Sequence, residues 1–136
     1  MDVEKFLENG GVRITPVRIL VTRVISAAAG PLSSLEIERE LRTVDRSSIS
    51  RTLALFAEKG LVHSVDDGSG SVKYELCHHC GEEHDDDLHP HFHCLRCGRT
   101  FCLENEAIPP VVLPEGFAAE SVNYVVKGFC PDCRNF

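Results

Sequence analysis

Apolar and polar residues alternate with helical periodicity through the first sixty positions of the chain. Apolar side chains recur at spacings of three and four residues over 17–29, which predicts a helix there. Thr15 and Pro16 form a helix-start signal, with proline at the first helical position. Gly30 and Pro31 end the pattern. A shorter helix is predicted over 3–10.

Two more helices are predicted before the pattern changes. One is capped by Ser33 or Ser34 and extends to about residue 42. The other is capped by Asp45 or Ser47 and extends to about residue 59, where Gly60 follows. Both are short, so each needs neighbouring elements on which to bury its apolar face.

The pattern then changes to that of strands. Residues 61–65 and 71–76 are predicted to form two short strands joined by the glycine-rich turn 66–70. Helices followed by a β-hairpin are the arrangement of a winged helix-turn-helix. We therefore expect residues 1–76 to form a winged-helix DNA-binding domain.

The second half of the chain has shorter regular segments. Residues 77–90 show no periodicity and are rich in His, Asp and Glu, which indicates a hinge. Short strands are predicted at 91–95, 100–103 and 121–129. The expected fold class is α+β: the winged helix, then a small α/β dimerisation domain over 91–136.

Net negative charge and metal-binding residue types are concentrated in that second half. The chain has 136 residues and a formal net charge of −7. Residues 1–76 carry 10 Lys or Arg and 11 Asp or Glu, whereas 77–136 carry 4 and 10. The second half also contains all seven cysteines and six of the seven histidines. Acidic groups, thiols and imidazoles together are what a divalent cation would neutralise.

Two CxxC pairs carry the strongest chemical signal. Cys94 and Cys97 precede Gly98, and Cys130 and Cys133 follow shortly after Gly128. The two-residue gap lets both sulfurs of a pair face one ion, so the four cysteines predict a structural zinc site. The alternative is a redox dithiol or disulfide pair.

A second group of potential ligands surrounds the hinge. On an extended strand, His89, His91 and His93 would share one face. A sensory metal site could join wing, hinge and small domain, and sulfur with imidazole favours zinc over iron. Its candidate ligands are Glu75, Cys77, His89, His91 and Cys102.

Other polar residues of this region have open roles. Cys102 could instead be a small buried hydrophobe, and His63 is expected to be structural or exposed. The run 85–87 is expected to be a solvated acidic stretch. No role is assigned from the sequence to a further set of hinge-region residues: His78, His79, Cys80, His84 and His93.

Several classes of protein are disfavoured. No run of about 18 apolar residues is present, and the N-terminus lacks a signal-peptide layout, so a cytoplasmic location is expected. Nothing matches the HExxH motif of zinc hydrolases, so an enzyme is not expected. A thiol switch that closes a disulfide between Cys77 and Cys80 remains a rival hypothesis.

The motifs together resemble the ferric uptake regulator family over nearly the whole chain. The opening run 11–18, the recognition-helix run 48–53 and the wing end at Tyr74–Glu75–Leu76 match its pattern. The His89-Pro90-His91 run matches as well. So do the two CxxC pairs, called knuckles below, each with its neighbouring glycine. The resemblance implies a homodimer and metal-dependent repression of uptake genes. It also implies structural zinc at the four cysteines.

The resemblance also implies where DNA would be bound. The helix that begins near Ser47 would lie in the major groove, and the dimer would bind a pseudo-palindromic operator. The residues expected to contact DNA are Arg13, Arg18, Arg46, Ser47, Ser48, Ser50 and Arg51.

Departures from the family pattern bear on the sensed metal. Ser50 replaces the usual recognition-helix tyrosine, and no histidine lies near Pro31. Leu88 and Pro90 occupy positions of a third family metal site. These differences favour a zinc-responsive repressor with a second, regulatory zinc. The alternative is an iron-sensing or a peroxide- or thiol-redox-sensing regulator of the same family.

Overall fold

The described residues form four helices and two three-stranded sheets. The computed structural model describes residues 1–76, 90–103, 106, 108–119 and 122–134. The helices are α1 (Val3–Asn9), α2 (Pro16–Ala27), α3 (Ser34–Glu40) and α4 (Arg46–Glu58). The strands are β1 (Leu32–Ser33), β2 (Val62–Asp66), β3 (Val72–Leu76), β4 (His91–Cys94), β5 (Thr100–Cys102) and β6 (Val125–Gly128). The predicted α+β class is confirmed. In the part of the chain described, no helix has the length and hydrophobicity required to cross a membrane.

Side-chain caps determine where the helices begin. The Thr15 hydroxyl accepts a hydrogen bond from the Arg18 amide at the start of α2. Ser33, not Ser34, caps α3 and forms a reciprocal capping box with Glu36. Asp45, not Ser47, caps α4. Of the alternatives predicted from the sequence, the cap is in each case the residue with extended backbone angles.

The helices bury their apolar faces in a single core with the first sheet. Leu7, Val21, Ile37, Ile49 and Phe56 are all fully buried there. Helix α2 ends at Ala27, two residues earlier than predicted, because the Ala28 backbone is extended. This core holds α4 so that its opposite face is exposed.

The first sheet has the order β1-β3-β2. Strand β1 was not predicted, because two residues are too short for a periodic pattern. It pairs antiparallel with β3, through Leu32 opposite Tyr74 and Ser33 opposite Lys73. Strand β3 is therefore the central strand, with β2 on its other side.

The second sheet has the order β5-β4-β6. Strand β4 pairs antiparallel with β5 and parallel with β6. The strand predicted over 121–129 is limited to Val125–Gly128, and residues 108–119 form no regular element. The parallel pairing aligns the two knuckles, because Cys94 lies opposite Gly128.

The loop between α2 and β1 lies directly against the second sheet. A Cβ atom built on Gly30 would lie 1.9 Å from the backbone oxygen of Thr100 in β5. No side chain fits in that space. Glycine at this position therefore allows the two halves of the chain to approach closely.

Replacement of Gly30 by alanine is expected to lower the free energy of unfolding by about 1–3 kcal/mol, because the loop must move away from β5. Urea denaturation measures the change. The matched control is Ala29→Ser at the exposed neighbouring position, which should shift stability by no more than about 0.5 kcal/mol. Equal stabilities for both variants would contradict the close approach.

Candidate metal centres and nucleic-acid interface

The four cysteines Cys94, Cys97, Cys130 and Cys133 form one compact group, the four-cysteine cluster. Their sulfurs all lie within 4.8 Å of one another, and those of Cys97 and Cys130 are 3.9 Å apart. Tetrahedral zinc with Zn–S bonds of about 2.3 Å requires sulfurs about 3.8 Å apart. The geometry therefore fits zinc, as the sequence predicted. The four sulfurs are enough for tetrahedral coordination, so no fifth residue is needed.

The thiol chemistry of the four-cysteine cluster also fits a cation. Burial opposes ionisation of Cys94, but amide donors from Cys97 and Cys130 outweigh it and lower the pKa of that thiol to about 5. Burial and the neighbouring sulfurs raise the pKa of Cys133 to about 12. Four thiolates this close repel one another, so a bound cation is what would allow all of them to ionise.

Arg99 lies beside this cluster and was not singled out from the sequence. Its Nε donates to the Cys97 sulfur at 3.2 Å, and its Nη2 lies 3.5 Å from the Cys130 sulfur. Asp132 accepts from the same Nη2 at 2.9 Å. These partners raise the pKa of the guanidinium above its ordinary value. Its only sequence signal is its position just after the first knuckle.

A second group lies between the two sheets. Glu75, His91 and Cys102, named here the interface cluster, offer three potential ligand atoms within 4.8 Å of one another. The carboxylate of Glu75 comes from β3, whereas His91 and Cys102 face each other across β4 and β5. His91 Nε2 lies 3.1 Å from Glu75 Oε1, and Cys102 donates to Glu75 Oε2 at 2.7 Å.

His63 joins the interface cluster through Glu75. The two residues face each other across β2 and β3, and His63 Nε2 is hydrogen-bonded to Glu75 Oε1. The sequence indicated a structural or exposed histidine, and the side chain is half-buried. The strand register is the signal that could have found it. Two cross-strand pairs, one from each sheet, therefore meet at this cluster.

The environment of Glu75 favours its charged form. Burial raises the pKa of the carboxyl, but hydrogen bonds from His63, His91 and Cys102 outweigh that effect and hold it well below its usual range. The carboxylate is thus present as an anion in a buried position. An anionic oxygen beside imidazole and thiol is a suitable partial coordination set for a divalent metal.

The other candidate residues of this region fall into two groups. Cys77 and His89 lie outside the described residues, as do His78, His79, Cys80 and His84. His93 shares the buried side of β4 with His91, as the alternation of a strand requires, but contacts Thr100 and Asp67 instead of Glu75. Of the five candidate sensory ligands, the structure brings together Glu75, His91 and Cys102.

The residues predicted to contact DNA lie on α4, at the start of α2 and, for Arg13, in the loop before α2. Arg46, Ser47, Ser50 and Arg51 are exposed, while Ser48 is half-buried. The hydroxyls of Ser47 and Ser48 donate to the capping carboxylate of Asp45, which lowers the pKa of that group to about 2. These two hydroxyls therefore serve the helix cap in this conformation.

The arginines differ in how far they are held by the protein. Arg46 Nε pairs with Glu38 at 2.9 Å, and Arg18 Nη1 donates to the Arg13 backbone oxygen at 2.8 Å. Arg51 Nη2 makes a long 3.5 Å contact with the Ser48 hydroxyl. Arg18 and Arg51 line one shallow depression between α2 and α4. Both side chains could therefore reach the same strand of a nucleic acid.

Comparison with known proteins agrees with these features. Residues 9–119 match the ferric uptake regulator family model. A ferric uptake regulation protein of Campylobacter jejuni is 26% identical, with 97% of this chain and 86% of the relative covered. A zinc uptake regulation protein of Mycobacterium tuberculosis is 28% identical, with 95% and 100% covered.

A solved structure shares the fold. The zinc uptake regulator complexed with zinc and DNA superposes with a TM-score of 0.61 at 24% identity, covering 97% of this chain and 90% of that one. The family match extends from the last residue of α1 to the segment between β5 and β6. The chain therefore belongs to the ferric uptake regulator family.

Proposed function

We propose that this protein is a metal-responsive transcriptional regulator, not an enzyme, that binds a DNA operator as a homodimer and responds to zinc. The interface cluster carries the proposal. Its potential ligands come from both sheets, so a metal bound there would link the helical half to the second sheet. Relatives named for iron and for zinc both match the chain, so the preference for zinc rests on ligand chemistry.

The ligand chemistry favours zinc. Cys102 and His91 offer a thiol and an imidazole, which suit zinc better than iron or manganese. Cys77 and His89 are proposed to complete the coordination. When bound, the metal supplies a positive charge that attracts anionic and neutral donors from both halves of the chain. Iron, peroxide or thiol-redox sensing by the same fold is the second candidate, and the cysteines of the hinge favour its thiol-redox form.

Metal binding at the interface cluster would act on α4 through the residues that carry the ligands. Glu75 lies on the hairpin that follows α4, and its orientation is set by His63. His91 and Cys102 belong to the second sheet. Joining these ligands favours one orientation of α4 relative to the second sheet. The shift between orientations can be no larger than the difference in metal-binding free energy between them.

The homodimer would form through the second sheet. Strand β6 is an edge strand of that sheet, and large apolar side chains on and around it are 41–54% exposed. They are Val122, Tyr124, Val126 and Phe129. Several large apolar side chains exposed along one edge strand favour a protein interface there. A two-fold dimer would then present two copies of α4 to a pseudo-palindromic operator, with repression of metal-uptake genes in the cytoplasm as the expected outcome.

The four-cysteine cluster is proposed to hold a structural zinc independent of the sensed metal. Its ligands lie on β4, in the turn between β4 and β5, and in the turn after β6. Backbone amides and Arg99 donate hydrogen bonds to their sulfurs. A closed set of four cysteines leaves no position for an exchangeable ligand. Its role is to hold the dimerisation surface together.

Cys130→Ser is expected to remove about one zinc per chain and to unfold the second sheet, because structural zinc contributes directly to folding. Metal analysis and near-ultraviolet circular dichroism measure both effects. Cys102→Ser is the matched control and should retain that zinc. Retention of full zinc by Cys130→Ser would contradict the assignment.

His91→Ala is expected to weaken binding of the exchangeable zinc by at least about 100-fold, while the zinc of the four-cysteine cluster remains. Chelator competition measures the zinc affinity, and fluorescence anisotropy measures DNA binding as free zinc is raised. The variant should no longer increase its DNA affinity with zinc. A wild-type response that follows iron or thiol oxidation at constant zinc would favour the second candidate function.

Arg51→Ala is expected to lower DNA affinity and to reduce the slope of log affinity against log salt by about 0.9 if the side chain contacts one phosphate. Titrations of zinc-loaded protein at several salt concentrations measure the slope. Arg134→Ala, an exposed change at the far end of the second sheet, is the control. Equal slopes for the two variants would remove Arg51 from the DNA interface.

A further inference from the structure

A second polar group lies one strand repeat away from the interface cluster. Lys73 precedes Glu75 by two residues on β3, His93 follows His91 by two on β4, and Thr100 precedes Cys102 by two on β5. Successive residues on one face of a strand lie about 7 Å apart. The same three strands therefore present two adjacent polar layers to the space between the sheets.

The group of Asp67, Lys73, His93 and Thr100, named here the latch, is almost fully buried. Asp67 is 0% exposed, Lys73 4%, Thr100 5% and His93 8%. Asp67 comes from the hairpin turn and Lys73 from β3, whereas His93 and Thr100 face each other across β4 and β5. The latch thus joins the same two halves of the chain as the interface cluster.

Protein groups alone satisfy the charges in the latch. The Lys73 ammonium lies 2.9 Å from Asp67 Oδ2 and 3.1 Å from both the Thr100 hydroxyl and the Gly98 backbone oxygen. These three partners use the three donors of an ammonium group. The cation in this layer is the Lys73 side chain. In the interface cluster, by contrast, the cation would be a bound metal ion.

Thr100 is the hub of the latch. Its hydroxyl donates to Asp67 and accepts from Lys73. Its single proton is then used, so the contact of 3.0 Å with His93 Nδ1 requires that nitrogen to be the donor. The hydroxyl therefore fixes the orientation of residues from the hairpin turn, β3 and β4 at once.

We propose that the latch positions the ligands of the interface cluster before metal binds, and so sets the zinc affinity of that cluster. Because Lys73 and Glu75 share β3, and Thr100 and Cys102 share β5, closure of the latch holds the backbones that carry these ligands at a fixed separation. Apparent zinc affinity rises with the fraction of molecules already in the competent arrangement. This inference rests on the proposed metal-responsive function.

A competing explanation is that the latch only stabilises the fold. A buried ion pair contributes little net stability, yet loss of one partner leaves an uncompensated charge. The two explanations differ in a measurable way. If the latch only stabilises the fold, its variants should differ from the wild type in melting temperature alone. If it also positions the ligands, variants that remain folded should bind zinc more weakly as well.

The central experiment compares Thr100→Val with Thr100→Ser in the full chain. Valine has nearly the same shape but no hydroxyl, and the ion pair between Asp67 and Lys73 remains. We expect Thr100→Val to weaken the exchangeable zinc site about tenfold or more and to reduce the zinc-dependent gain in DNA affinity. Thr100→Ser should retain both, and both variants should keep one zinc at the four-cysteine cluster.

A double variant separates positioning from charge burial. D67N/K73M removes both charges, so it should regain thermal stability relative to Lys73→Met alone. Its affinity for exchangeable zinc should remain reduced. Wild-type zinc affinity in folded Thr100→Val and in the double variant would overturn the positioning role.

Failure of the proposed function is recognised separately in the wild-type protein. If the wild type binds exchangeable zinc but its DNA affinity does not change, the regulatory function fails while the latch is still judged by zinc affinity. If the wild type binds no exchangeable zinc, both proposals fail. Chelator competition with zinc alone, without DNA, distinguishes these results.

Discussion

The buried carboxylate of Glu75 is the group on which the arrangement of the two halves depends. A charged carboxylate away from water is costly unless donors surround it. His63 supplies one donor from the same sheet, and His91 and Cys102 supply the others from the second sheet. The charge therefore draws the two sheets together at the point where donors can also serve as metal ligands.

The two candidate metal centres differ in how their ligands are distributed. The four-cysteine cluster takes all its ligands from β4, the turn between β4 and β5, and the turn after β6, so a metal there would stabilise a single unit. The interface cluster takes ligands from two sheets, so a metal there would act on their relative orientation. This difference in connectivity, more than in ligand type, separates a structural role from a regulatory one.

The proposed binding to DNA is compatible with the acidic composition of the chain because charge is unevenly distributed along it. The net charge of −7 would repel DNA at long range, but residues 77–136 carry a net charge of −6 and residues 1–76 only −1. Arg18 and Arg51 share one surface depression on the opposite part of the fold. Local charge at the contact surface, not total charge, governs such an interaction.

Local patterns in the sequence determined the helices, their caps, the hairpin and the four-cysteine cluster, because each depends on residues close in sequence or on a distinctive spacing. Glu75, His91 and Cys102 were also named from the sequence, because they are ligand-type residues placed around the hinge. Tertiary structure alone decided the parts that depend on register between distant strands. His63 lies opposite Glu75, Lys73 reaches Thr100, and Arg99 reaches Cys130 only after the chain folds. No periodic signal links these residues, because their proximity is set by strand register within each sheet and, for Lys73 and Thr100, by how the two sheets pack.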